Sequence, residues 1–207
     1  MAEASTVRGL ALGWSLWLLG AWAVTLAIDS TVPAVRWMVY AALMGLMLIW
    51  PMLRLSQRGT AALAGTLLDW VCLMLVFQAV IWPLRLSGDW TMPQTWWLNA
   101  TMGAWSLLTG LVIAWGRRVD RGSIRTLAMV ACVGLLLGEP ALRASTGIVS
   151  GDLWLSPLGL VWQLTESPTH YVAQRWAMPV GSAGAAALVG WGLLGWWARS
   201  HLRDVLR

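Results

Sequence analysis

Asp69 is the residue whose type and place most invite a chemical role. It lies about nine residues into AALAGTLLDWVCLMLVFQAVIWPL, residues 61–84, and is the single charge in that stretch. A helix of that length reaches roughly 36 Å, enough to cross a bilayer core of about 30 Å. A carboxylate left alone in such a span costs about 2.5–3.5 kcal/mol on insertion scales, so Asp69 is expected to be protonated or paired. Paired or protonated, it could relay a proton or substrate, or lock helices together. Alternatively, the span starts later and Asp69 lies near the membrane surface. Gln78 is nine residues further on, about half a helical circumference away, and so does not share the Asp69 face.

Other chemistry-bearing residues are few. Glu139 and Arg143 have the i,i+4 spacing of a helical ion pair, near the outer exit of a later apolar segment. Glu139-x-x-x-Arg143 echoes the E-E-x-x-x-R motif of membrane CAAX-type proteases. Gly138 stands at its first position, however, and no His lies in any span to complete such a site, so that reading is rejected. His170 and His201, the only two histidines, flank the last apolar segment on opposite sides and cannot share a haem or a metal. Cys72 and Cys132 both fall inside apolar segments and read as small buried hydrophobes. The chain has no Lys, which excludes a P-loop, Schiff-base chemistry and the S-x-x-K nucleophile arrangement. No catalytic, cofactor-binding or metal-ligating set emerges, and the expectation is a protein that is not an enzyme.

The elements that carry these residues are membrane spans. Of 207 residues, 58% are apolar and 11% charged, against about 25% charged in soluble domains, and the mean hydropathy is +0.66. Trp occurs 18 times against one Phe and two Tyr, in keeping with Trp's preference for the headgroup level. The expected fold is all-α: a single polytopic membrane domain over 1–207 with six transmembrane helices, at about 10–28, 37–53, 61–82, 97–115, 124–143 and 176–198. Trp50-Pro51 and Trp82-Pro83 mark expected kinks or ends. Ser87 to Trp97 reads as an interfacial loop. The fifth span is short unless it continues through Glu139-Pro140. Between the fifth and sixth spans, LWLSPLGLVWQL, residues 153–164, is apolar but too short to cross, and Ser156-Pro157 looks like an N-cap followed by Pro at the first helical position. It is expected as a re-entrant or interfacial helix. Small-residue stripes on spans one, four and six suit close helix packing, with dimerisation as the alternative.

Arginine counts near the span ends orient the chain. Arg8, Arg54, Arg58, Arg117, Arg118, Arg121, Arg125, Arg199, Arg203 and Arg207 fall on one side; Arg36, Arg85, Arg143 and Arg175 fall on the other. By the positive-inside rule both termini are cytoplasmic, and the expected location is a bacterial cytoplasmic (inner) membrane. The net charge of +5 comes from Arg scattered at helix ends, which suits an anionic leaflet rather than nucleic acid.

From Leu155-Ser156-Pro157-Leu158 through the last span to Trp197-Ala198-Arg199, the layout resembles the permease subunits of ABC-2-type exporters. It has a Pro-started outer helix, a final span and a basic end. The resemblance implies an export subunit that pairs with a second copy of itself and is driven by a separate ATPase, and it assigns no catalytic residue. The amphipathic elbow helix before span one in that family is nearly absent here. The alternative is a non-catalytic membrane anchor, assembly factor or accessory subunit of a larger complex.

Overall fold

The computed structural model describes residues 2–28, 31–57, 63–118, 121–146, 156–166 and 172–205. Among the described residues the chain is all-α. Helix α1 is Ala2–Thr25. Helix α2 is one rod in three parts: Thr31–Met44, a π-helical turn Gly45–Ile49, and Trp50–Ser56. Then follow α3 (Leu63–Ser87), α4 (Met92–Gly116), α5 (Gly122–Thr146), α6 (Pro157–Glu166) and α7 (Val172–Val205). Five apolar runs are long enough to cross a bilayer, Pro33–Ser56, Leu63–Ser87, Met92–Gly116, Gly122–Leu142 and Ala177–Ala198, and Gly9–Thr25 is a shorter apolar helix. By helix length and hydropathy this is a multi-pass integral membrane protein.

Two helices form the centre. Buried residues make up 67% of the α2 span and 56% of α4, against 17–22% in α3, α5 and α7. The peripheral helices each bury one seam. On α1 it is Leu10, Trp14, Leu18 and Ala21; on α3 it is Thr66, Asp69, Leu73, Phe77 and Ile81. Both sets recur every three or four residues, the spacing of one helical face. The remaining faces carry exposed Leu12, Leu75, Leu188 and Trp196, a surface that belongs against lipid. The buried polar residues lie largely on α4: Gln94, Thr95, Thr101, Ser106 and Thr109. Thr101, Ser106 and Thr109 each donate a hydroxyl to the carbonyl four residues back in their own helix, so they bring little polarity to the packing surface.

The prolines do not end the helices where the sequence suggests. Just before Pro51 the Trp50 N–H bonds the Gly45 carbonyl, five residues back, and this π turn lets the helix pass the proline ring and continue to Ser56. The turn has a second use. A Cβ on Gly45 would come within 2.0 Å of the Trp14 ring, so glycine lets α1 press against it, while Trp17 Nε1 donates to the Ala41 carbonyl at 2.8 Å. Helix α3 likewise runs through Pro83 to Ser87. It is closed by Gly88 N–H on the Leu84 carbonyl (2.8 Å) and by Asp89 in the left-handed region (φ 52°). The expected Ser87–Trp97 loop is mostly helix, because Thr91 and Gln94 form a reciprocal capping box that starts α4 at Met92.

Pro140 explains how α6 is seated. A proline there removes the N–H that would bond the Leu136 carbonyl. The Ser156 hydroxyl takes that carbonyl at 2.9 Å and accepts the Leu158 N–H at 3.2 Å, acting as the expected N-cap of α6. The Glu139 carboxylate accepts the Ser156 N–H. At the far end of α6, Arg36 Nη2 donates to the Thr165 carbonyl (3.3 Å) and its guanidinium lies 5.4 Å from the centre of the Trp162 ring. An anion at the helix N-terminus and a cation at its C-terminus both suit the helix dipole. Leu160, Val161 and Leu164 are buried below, among α2, α4 and α5. A short helix is thus present where the sequence expects a re-entrant or interfacial one, and it is docked between α5 and α7 in chain order. The start expected at Ser167-Pro168 lies outside the described residues.

Ser156→Ala should destabilise the protein by about 1–3 kcal/mol, because a buried carbonyl loses its partner. Pro140→Ala restores a helical N–H to that carbonyl and should recover part of the loss when combined with Ser156→Ala. Thermal unfolding in detergent checks both, and purely additive effects would refute the coupling.

Candidate functional site

At the end of the bundle opposite α6, Asp69 is 2% exposed and Arg54 4%. Arg54 Nε donates to Asp69 Oδ2 at 2.6 Å, and its Nη2 donates to Oδ1. This is the two-pronged geometry that makes guanidinium–carboxylate pairs strong. The third arm of the guanidinium, Nη1, donates to Gln57 Oε1 at 3.1 Å. The pair joins α2 to α3. Arg54 lies two residues before the end of α2, and Asp69 lies about 9 Å along α3 from its first residue. The structure pairs Asp69 with Arg54 and buries both inside the bundle.

Two more helices meet here. A Cβ on Gly116 would lie 2.6 Å from Ala128 Cβ on α5 and 2.9 Å from Leu55 Cδ2 on α2, so only glycine permits the approach. The residues beside these contact points are Arg54, Arg117 and Arg125. Burial and the positive charge of Arg54 push the Arg117 guanidinium below the ordinary arginine value; Asp69 opposes that shift and Arg125 adds to it. Arg118 is engaged elsewhere, 3.4 Å from the centre of the Trp197 ring on α7, with Nη1 3.5 Å from the Leu194 carbonyl.

Further polar links stitch α3 to α4 along their length. Gln78 Nε2 donates to Asn99 Oδ1 (2.8 Å), and Gln78 Oε1 accepts from Trp82 Nε1 (3.2 Å). Trp70 Nε1 donates to Ser106 Oγ (2.9 Å). Gln78 thus serves a different contact from Asp69, as their spacing implies.

The other sequence-predicted residues are dispersed. Glu139 is bound to the α6 cap, and the Arg143 side chain lies outside the described residues, as do those of His170 and His201. Cys132 is buried and Cys72 half-buried, both free thiols. Among the described residues, no three of His, Cys, Asp and Glu come together as a metal site. Sequence reasoning missed Arg54 as the partner of Asp69. The available signal was opposite charges on consecutive spans, each within two turns of the same helical hairpin end.

Breaking the pair from one side leaves a buried charge without its counterion. Arg54→Met or Asp69→Asn alone should cost about 3–5 kcal/mol of stability, whereas Arg54→Met with Asp69→Leu should recover most of it. Glu3→Gln is the control and should be silent. The measurement is unfolding temperature and monodispersity of the purified variants in detergent, and additive losses in the double variant would contradict the pairing.

No protein-family model, characterised protein or solved structure matches this chain.

Proposed function

We propose that this protein is a non-catalytic membrane module, an anchoring or accessory subunit of a larger membrane assembly. The observation that carries this reading is the occupation of Asp69. Both carboxylate oxygens are held by Arg54, so the one carboxylate of its span serves as a bolt between helices rather than as a station for a moving proton. The rest of the interior supports the same reading. Trp50, Phe77, Leu98, Met102 and Leu136 fill the space between the two ends, and the amide pair Gln78–Asn99 is bound to itself. An intramembrane relay needs polar groups open to a pathway. The arginine-rich end faces the cytoplasm under the positive-inside rule, in a bacterial inner membrane, with α6 at the outer face. The shorter helix α1 makes a sixth crossing in this arrangement.

A second reading is favoured by α6. A short outer helix, held at both ends between the last two spans, suits the permease-like subunit of an export system driven by a separate ATPase and paired with a second copy of itself.

Reconstitution into liposomes loaded with a pH-sensitive dye separates these readings. The module reading expects proton leak equal to that of protein-free liposomes, unchanged by Asp69→Asn, and migration from native membranes in a complex larger than the chain itself. Proton flux that is abolished by Asp69→Asn would overturn it. The permease reading instead expects co-isolation with a P-loop ATPase and solute efflux that requires ATP.

A further inference from the structure

Helices α4 and α7 enclose an open groove of about 430 Å³ on the outside of the bundle. Leu111, Val112 and Trp115 form its α4 wall, and Gly190, Leu193 and Trp197 its α7 wall. Trp115, Leu193 and Trp197 are exposed along it. A Cβ on Gly190 would lie 2.3 Å from Leu111 Cδ2, so Leu111 closes the floor against the α7 backbone only because that residue is glycine. From Gly190 to Trp197 the groove follows α7 for roughly 10 Å, about two thirds of the thickness of one hydrocarbon leaflet. A cation stands at its arginine-rich end. The Arg118 guanidinium lies 3.4 Å from the centre of the Trp197 ring, with Nη1 3.5 Å from the carbonyl of Leu194, which also lines the groove. Stacking on an indole uses the face of a guanidinium and leaves its in-plane N–H groups to meet oxygens. Among the described residues Arg118 makes no other polar contact; Asp120, two positions on, lies outside them. Helix α4 ends at Gly116, so Arg118 sits just past the end of a span, at the level of lipid headgroups.

We propose that this groove holds one anionic phospholipid, with an acyl chain along α4 and α7 and the phosphate on Arg118. An apolar channel that runs into the hydrocarbon and carries a cation at headgroup depth fits a molecule that is apolar along its length and negative at one end. The planar fork of Arg suits phosphate oxygens. Trp115 and Trp197 flank the first part of the chain, at the depth where indole rings are most favourable. A headgroup with net negative charge is preferred over a zwitterionic one, whose ammonium offsets the attraction of the phosphate for Arg118. Chain and headgroup contribute through different residues, so substitution can separate them. The site does not depend on whether the protein anchors an assembly or exports a solute.

The test is native mass spectrometry of the full-length protein, released from a neutral detergent and titrated with phosphatidylglycerol or phosphatidylcholine of equal chain length. It counts bound lipids and gives the concentration that half-fills the first site. Phosphatidylglycerol should fill that site at a lower concentration than phosphatidylcholine. Arg118→Gln should raise the phosphatidylglycerol value about tenfold, the loss of one charge-assisted contact, and so remove the preference. Arg121→Gln, an exposed arginine outside the groove, should leave it in place. Leu193→Trp, which fills the groove from an exposed position, should weaken both lipids alike. Glycerol phosphate, which carries the headgroup charge and no chain, should not displace bound lipid. No preference in the unaltered protein, as would follow if Asp120 held Arg118, overturns the proposal. So do equal losses in Arg118→Gln and Arg121→Gln, unchanged binding in Leu193→Trp, displacement by glycerol phosphate, or a dimer that carries no lipid. If Arg118→Gln does not fold, Leu193→Trp and the preference of the unaltered protein decide.

Discussion

A charge can stay inside an apolar bundle only if another charge meets it, and the Arg54–Asp69 pair is where this protein obeys that constraint. Either ion alone would be several kcal/mol unfavourable there, so each makes the other tolerable. The pairing also fixes geometry. The two residues are 15 apart in sequence, on consecutive helices, and two parallel hydrogen bonds set the relative height and rotation of α2 and α3. Gly116 then admits α5 against α2 at the same level, and the remaining arginines follow.

The opposite end works by the same economy of polar groups. A proline in α5 frees a carbonyl, and a serine from the next helix takes it. A glutamate beside that proline accepts the same serine's N–H, and an arginine from α2 donates to a carbonyl of the last turn. Helix α6 is short and would not be stable alone. Its place depends on these few groups at its two ends and on the buried Leu160, Val161 and Leu164 beneath it. In lipid, backbone groups released by a proline must find partners within the protein, which is why the irregular positions are also the positions where helices join.

Much of this was legible in the sequence, for identifiable reasons. Long apolar runs dictate helices, and Ser156-Pro157 announced the α6 cap because its chemistry is local. The helix ends were less legible. Pro51 and Pro83 look like kinks or stops, yet both helices continue, at Pro51 through a π turn, and α5 runs on through Pro140 as its expected bounds require, with a tertiary hydrogen bond taking the freed carbonyl. The T-x-x-Q of Thr91 and Gln94 was readable as a capping box but was masked by the polar residues around it. Asp69 stood out through the cost of its burial. Its partner did not, because Arg54 sits near a helix end, where an arginine on a membrane protein is ordinarily left to the headgroups. The small-residue stripes divide in a way sequence could not foresee: a Cβ on Gly110 of α4 would lie 3.0 Å from the Trp50 ring, whereas one on Gly9, Gly13, Gly181 or Gly192 would meet nothing within 4 Å among the described residues.

The claim beneath all of this is that hydrocarbon surrounds the bundle, so that leucine and tryptophan face outward and the ion pair faces in. Photolabelling in membranes with a lipid carrying a reactive group on its acyl chain, read out by peptide mass spectrometry, tests it most directly. The account predicts labelling of the outward Leu75 on α3 and Leu188 on α7, and none of Leu73 and Phe77 on the buried seam of α3. Equal labelling of Leu73 and Leu75, or no acyl-chain labelling of either helix, would contradict it.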